Sequence, residues 1–289
     1  MTNQIKTKNP TIKIGEINTL EIKRDTDFGF YLEAEDKSEV LLPNAYIIES
    51  QMPLNSLIDV FVYTDSEDRV VATTSMPYAK LGQFGFFSVV DSTNYGAFVD
   101  WGLPKDLFVP ISQQRKRLEV GKKYILRVCL DEKTNRLYAT HKIGKYINSN
   151  SKKLKPKQAL DAIVIAKTPL GFKVVANNQY EGMLYSNEVF EKLNIGDKRR
   201  VYIKNIRTDG KLDLSLQPIG KEQKNNSEQE EILKQLKASN GKLPFTYKSD
   251  AQDIKRVFKM SKKSFKKALT SLIESKKIEL LDSSIKLIT

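Results

Sequence analysis

Tyr95 and Phe98 stand on either side of Gly96, and three cations, Arg115, Lys116 and Arg117, follow the next apolar strand. Rings and cations in that arrangement equip a surface to stack flat conjugated groups and to neutralise phosphate, without making or breaking a bond. The arrangement recurs. Phe28 and Tyr31 surround Gly29, and Leu170 and Lys173 surround Gly171. Basic runs also precede a later strand: Lys122 and Lys123 in the middle copy, Lys198, Arg199 and Arg200 in the last. Bond-making chemistry lacks its parts. One histidine, His141, and one cysteine, Cys129, supply neither a zinc ligand set nor a Cys/His nucleophile pair. No Walker loop or dinucleotide fingerprint is present. The chain therefore reads as a non-enzyme without metal or cofactor.

These side chains need strands to hold them. Residues 14–77, 81–143 and 157–219 share one plan of about 65 residues, a repeat that organises most of the chain. Val, Ile, Phe and Tyr gather in short runs at 28–32, 40–43, 57–63 and 69–74, and again at 95–99, 107–110, 123–130 and 136–140. The third copy places them at 170–174, 182–185, 200–206 and 212–216. Five short strands between turn signals predict small barrels on the scale of an OB-fold, with an SH3-like sandwich as the alternative that periodicity leaves open. The strand-2 glycines suit the bend of a closing barrel. Strict alternation puts Phe28 and Tyr31 on opposite faces, so a bulge near the glycine is expected to bring them together, while Phe30 and Phe172 are assigned to the core.

The remaining sequence, 228–289, has helical stripes at Ile232, Leu233 and Leu236, at Ile254, Val257 and Phe258, and at Phe265, Ala268, Leu269, Leu272 and Ile273. Ser249 or Asp250 is placed to cap the second of these helices and Ser261 the third. An extended piece at 243–247 and a hairpin turning at Asp282, Ser283 and Ser284 complete the order of a winged helix. Residues 149–157 and 221–227 are polar and read as linkers. The expected fold is mainly β and multi-domain: three tandem five-stranded OB barrels at 1–78, 79–147 and 148–220, then an α/β winged helix at 228–289.

The pattern of an aromatic, glycine and a second aromatic before Val99, followed by Leu107, Phe108, Val109, Pro110, Ile111 and Ser112, resembles the S1-type RNA-binding domain. Three such units before a basic helical tail resemble the bacterial conserved virulence factor B family, along nearly the whole chain from residue 14 to 289. The resemblance implies that RNA bases stack on the aromatics flanking the strand-2 glycine and on a strand-3 histidine. Here those positions hold Phe28, Tyr31 and Pro43, then Tyr95, Phe98 and Pro110, then Leu170, Lys173 and Tyr185.

Charge ranks the units. Net charge is +13 over 289 residues, divided as −6 for 1–78, +6 for 79–147, +6 for 148–219 and +7 for 220–289. A surplus of that size selects a polyanionic partner. The acidic first unit reads as a packing or regulatory module, and the second and third units with the tail as the binding surface. The third tail helix offers Lys262, Lys263, Lys266 and Lys267, which suit phosphate contact, and lacks the Arg, Asn or Gln that reads base edges. Single-stranded RNA is thus the expected partner, in post-transcriptional or translational regulation. Duplex DNA bound through the winged helix by a transcription regulator is the weaker alternative, and a protein–protein adaptor a third. No apolar run nears the ~18–20 residues that span a bilayer, residues 1–15 lack the apolar core of an export signal, and a lone cysteine fits a reducing compartment. A soluble cytoplasmic protein with no membrane partner is expected.

Overall fold

The computed structural model describes residues 12–47, 53–148, 150–151 and 153–288, with backbone only at 221–224. Most of the N-terminal stretch, and Ser149 and Lys152 of the first linker, lie outside the described residues. The chain divides into two compact units, Met1–Lys145 and Tyr146–Thr289.

In the first unit, β1 (Ile17–Thr26), β2 (Gly29–Glu33), β3 (Glu39–Pro43), β4 (Leu57–Thr64) and β5 (Val70–Thr73) close a barrel in the order β1-β2-β3-β5-β4. The seam between β3 and β5 is parallel, pairing Leu41 with Val71. That is the strand order of an OB barrel, which decides against the SH3-like alternative. A second sheet repeats it with β6 (Phe84–Ser92), β7 (Gly96–Asp100), β8 (Leu107–Pro110), β9 (Lys123–Asp131) and β10 (Arg136–Thr140). Its order is β10-β9-β6-β7-β8. This barrel is the partly open form of the same fold: β8 and β10 are neighbours, but among the described residues no hydrogen-bonded ladder joins them.

The second unit opens with β11 (Ala159–Thr168), β12 (Gly171–Ala176), β13 (Tyr180–Tyr185), β14 (Lys198–Ile206) and β15 (Leu212–Ser215), closed as β11-β12-β13-β15-β14. After it come α1 (Lys221–Ala238), β16 (Lys242–Leu243), α2 (Ala251–Phe258), α3 (Lys262–Glu274), β17 (Ile278–Leu280) and β18 (Ile285–Leu287). Strands β16, β18 and β17 form the small sheet of a winged helix. Residues 221–227, expected as a linker, are instead the first turns of α1. Their Glu, Gln and Lys are good helix formers, and polarity alone misread them. Asp250 caps α2, accepting from the Gln252 and Asp253 amides at 2.7 and 3.4 Å, and Ser261 caps α3 through the Ser264 amide at 3.1 Å. Phe258 lies between Phe245 and Phe265, with centroids 4.8 and 4.9 Å away, and anchors the domain's core. Among the described residues no helix is long and apolar enough to cross a membrane.

A bulge recurs in the first strand of every barrel. The register slips by one between Ile22 and Arg24, between Val89 and Asp91, and between Val164 and Ala166. The extra residues Lys23, Val90 and Ile165 stand at one distance before the strand-2 glycine. The bulge thus lies on the strand that faces the glycine's own strand, opposite Leu32 and Tyr31, Val99 and Phe98, and Val174 and Lys173, and it bends the strand where a small barrel must coil.

The first two barrels share a core. Val60 and Val62 fill the first barrel, whereas Phe61 and Tyr63, next to them on β4, point outward and pack with Trp101, Leu103 and Leu107 of the second. Trp101 meets Phe61 edge-on at 5.8 Å and Tyr63 at 6.3 Å. Its indole Nε1 donates to the Lys105 carbonyl at 2.6 Å, which satisfies the one polar atom that so large a buried ring carries.

Candidate nucleic-acid interface

Each barrel displays one side chain on a rigid turn. Thr26, Thr93 and Thr168 donate their hydroxyls to the carbonyls of Gly29, Gly96 and Gly171, at 2.7, 3.2 and 3.0 Å. The residue just before the glycine is pinned through its own carbonyl: the Asn44 amide donates to Phe28, Ile111 to Tyr95 and Ser186 to Leu170. Its side chain is left bare, 76% exposed for Phe28, 82% for Tyr95 and 67% for Leu170. Glycine is required at the closing position. Gly29 and Gly171 sit at φ of +135° and +148°, and a Cβ there would stand 2.1 Å from the carbonyl oxygens of Leu42 and Leu184. A ring on such a turn contacts a ligand without first losing backbone freedom.

The three strand-2 to strand-3 faces then differ in what that ring can use. In the second barrel Phe98 pairs across the ladder with Phe108, and the two half-buried rings lie 5.0 Å apart at 42°. Phe98 was expected as a site residue and Phe108 was not, although its place between buried Leu107 and Val109 turns it outward beside Phe98. In the first barrel the matching pair is Tyr31 and Leu41, and the Arg24 guanidinium covers the Tyr31 ring at 3.9 Å while binding Glu39 at 2.7 Å. That face is occupied by the barrel's own side chain. In the third barrel the pair is Lys173 and Met183, with Lys173 held by Glu181 at 3.2 Å. Tyr185 is fixed there by its hydroxyl, which receives a bond from Arg207 at 2.6 Å and lies 3.1 Å from Asp213. Phe30 and Phe172, assigned to the core, are half-buried at its edge.

The cations of the second barrel spread out. Arg117 reaches the Thr93 carbonyl at 3.4 Å, close to Tyr95. Lys116 stands 5.9 Å over the Tyr124 ring, and Arg115 lines a shallow cleft with Lys142 and Lys145. Lys122 is paired with Glu119 at 2.5 Å, and Lys123 is exposed at the start of β9. His141 lies just after β10, with its ring edge-on to Tyr124 at 5.6 Å and its Nδ1 buried without a hydrogen-bond partner. Burial, and then the neighbouring Arg115 and Lys116 charges, hold its pKa below the usual histidine range.

In the third barrel the basic run is largely answered by carboxylates. Arg199 binds Glu191 at 2.9 Å and Asp197 at 3.3 Å, and Arg200 binds Asp161 at 2.9 Å. The winged helix docks on that barrel through α2, with Lys259 3.6 Å from Glu191 and Lys255 5.6 Å over the Phe190 ring. On α3, Lys263, Lys266 and Lys267 are exposed opposite the buried stripe, whereas Lys262, expected with them, is half-buried with its Nζ 3.5 Å from the Lys248 carbonyl.

Comparison with known proteins bears on both ends of this arrangement. The description "S1 domain" matches residues 14–75, and "CvfB-like winged helix domain" matches residues 230–287. Conserved virulence factor B of Staphylococcus saprophyticus is 26% identical over 95% of this chain and 94% of its own length. The chain has the conserved virulence factor B plan. The Staphylococcus aureus USA300 protein of that name is 23% identical with the same coverage, and a Bacillus subtilis relative, the uncharacterized protein YitL, is 28% identical over 96% and 94%. A solved structure described as a multidomain protein with nucleic acid binding domains from Streptococcus pneumoniae is similar at 23% identity, covering 95% of this chain and 98% of that one with a TM-score of 0.40. S1 and winged-helix domains are nucleic-acid-binding rather than catalytic types, so the conserved virulence factor B plan supports nucleic acid as the partner class.

Against that plan, charge and rings separate. Residues 1–147 sum to zero and residues 148–289 carry the whole net charge of +13. The outward ring pair lies in the neutral half, and the surplus of positive charge lies in the other.

Proposed function

We propose that the protein binds single-stranded RNA without catalysis and acts in post-transcriptional or translational regulation in the cytoplasm, with the domain limits 1–78, 79–147, 148–220 and 228–289. The observation that carries this reading is the Phe98–Phe108 ring pair beside Tyr95. Outward rings stack only on bases that are not already stacked in a duplex, so they favour a single strand. Affinity comes chiefly from phosphate contacts by the basic second half, including Lys198 and the exposed α3 lysines, with Arg115, Lys116, Arg117 and Lys123 flanking the rings. Tyr185 and Lys173, tied to their own barrel, serve the third face as polar contacts rather than stackers. The S1 and winged-helix matches support the partner class, and the buried, unbridged Cys129 accords with a reducing compartment.

Competition is the test. Full-length protein bound to a labelled 12-mer RNA is challenged with unlabelled single-stranded RNA or duplex DNA at one stated salt concentration. Single-stranded RNA is expected to displace the probe at least about tenfold more effectively. Displacement that favours the duplex would replace this reading with a DNA-binding regulator working through α3.

A further inference from the structure

A trough of about 900 Å³ opens beside the Phe98–Phe108 pair, and two different barrels build its walls. One wall is apolar, with Phe98, Phe108 and Tyr138 from the second barrel. The first barrel adds Thr64, at the end of β4, with Ser66 and Asp68 of the β4–β5 loop. A volume of this size with an apolar wall and a few convergent polar groups has the form of a small-ligand site.

The loop is fixed in place. Asp65 accepts from the amides of Glu67 and Arg69 at 2.9 and 3.0 Å, and from the Arg69 guanidinium at 2.8 and 2.6 Å. Lys105, from the second barrel, donates its ammonium to the carbonyls of Thr64 and Asp65 at 3.1 and 2.5 Å. On the trough itself the Asp68 carboxylate pairs with Arg136 of β10. Both partners are about half-exposed, and an ion pair so well hydrated opens at little cost when a ligand offers better geometry.

We infer that the trough is a nucleobase pocket and that the acidic first barrel selects the base through Asp68. This rests on the reading that the second barrel binds single-stranded RNA, and it gives the first barrel a part in that site. Ionised Asp68 only accepts hydrogen bonds, so it matches a base that presents an exocyclic amino group beside the Phe98 and Phe108 rings. Arg136, its partner, supplies donors to the ring nitrogen or carbonyl next to that group. Cytosine offers both in adjacent positions. Uracil turns a carbonyl oxygen toward the carboxylate where cytosine has its amine, and is disfavoured. The comparison changes only this hydrogen-bonding edge, amine to carbonyl and the adjacent ring nitrogen from acceptor to donor, because the two rings have the same size.

The test uses full-length protein and labelled hepta-cytidylate and hepta-uridylate, titrated by fluorescence anisotropy at constant salt. Wild type is expected to bind the cytidylate about tenfold more tightly, the scale of one hydrogen bond to a charged group. Asp68→Asn keeps the shape but adds a donor, and should bring the two ligands to within about twofold. Glu67→Gln removes the same charge from the same loop without lining the trough, and should keep the wild-type preference. A preference unchanged in Asp68→Asn overturns the inference while leaving RNA binding in place. So does an equal gain for both ligands, which would make Asp68 a competitor of phosphate for Arg136. So does an equal shift in the two variants, which would make the effect one of net charge. A wild type that binds neither ligand overturns the functional reading, and the inference with it.

Discussion

Phe98 and Phe108 face each other across β7 and β8 with ring centroids 5.0 Å apart, and the corresponding cross-strand pairs in the other two barrels are Tyr31 with Leu41 and Lys173 with Met183. Only the second barrel therefore presents two rings at this position, and Tyr95 adds a third on the turn before it. Replacing Phe98 and Phe108 by alanine is expected to weaken single-stranded RNA binding by roughly 10- to 100-fold, as the loss of about one stacked base implies at ~1–3 kcal/mol each. Both rings are half-buried, so circular dichroism melting of the same variant must accompany the titration. A variant that unfolds would assign the rings to the core, and a folded variant with undiminished affinity would remove them from the site.

Salt dependence should divide along a different line. Lys263, Lys266 and Lys267 on α3 are exposed, whereas Arg199 and Arg200 already bind Glu191 and Asp161. Changing the three α3 lysines to glutamine should lower the slope of log affinity against log salt by about 2, at ~0.7 per single-strand phosphate contact. Neutralising Lys198, Arg199 and Arg200 should lower it by less. The ring variant should keep the wild-type slope while losing affinity. A larger effect at 198–200 than on α3 would place the phosphate path on the third barrel.

Trp101 is the largest side chain of the core shared by the first two barrels, and its indole is hydrogen-bonded to Lys105. Trp101→Ala is expected to cost about 3–5 kcal/mol in urea unfolding followed by circular dichroism, because a cavity opens against Phe61 and Tyr63. Trp101→Phe should cost far less, since it keeps most of the ring and loses one hydrogen bond. Equal, small effects of both would contradict a tightly packed junction.

His141 sets a pH dependence. Its folded pKa lies below the ordinary value near 6.5, through burial first and the Arg115 and Lys116 charges second. The unfolded chain therefore takes up this proton at higher pH than the folded one. Stability from the neutral ring is fully present above pH ~6.5 and is lost as pH falls through that value toward the folded pKa. The depressed carboxyls of Asp65 and Asp213 titrate at still lower pH, outside this window. The urea midpoint should drop between pH 7 and pH 5.5 in the wild type and drop less in His141→Gln. Parallel drops in the two proteins would show that His141 contributes nothing to the slope.

Much of the fold was legible because period-two runs and glycines mark strands and turns directly. The spacing of Gly29, Gly96 and Gly171 marked the repeat, and Asp250 and Ser261 marked the helix starts. The threonine three places before each of those glycines was an unused signal for the rigid turn. Strand pairing was harder to read. Phe108 joins Phe98 only through the register of β7 with β8, and Arg24 covers Tyr31 only because β1 and β2 pair at that position. Composition also did not show that the basic run at 198–200 meets carboxylates, since strand pairing brings Asp161, 39 residues away in sequence, to Arg200. The junction of the first two barrels did leave a mark. Val60, Phe61, Val62 and Tyr63 are apolar without alternation, the signature of a strand covered on both faces.

Because β4 serves one barrel through Val60 and Val62 and the next through Phe61 and Tyr63, it cannot open toward one without stripping the other. The amide hydrogens of β4, β7 and β8 should therefore share a single slow exchange event, as members of one cooperative unit. A protease acting on this half of the chain should release the two barrels together as one resistant fragment. The sequence repeats every 65 residues or so, but the smallest piece of this half that behaves as a protein is a pair of repeats.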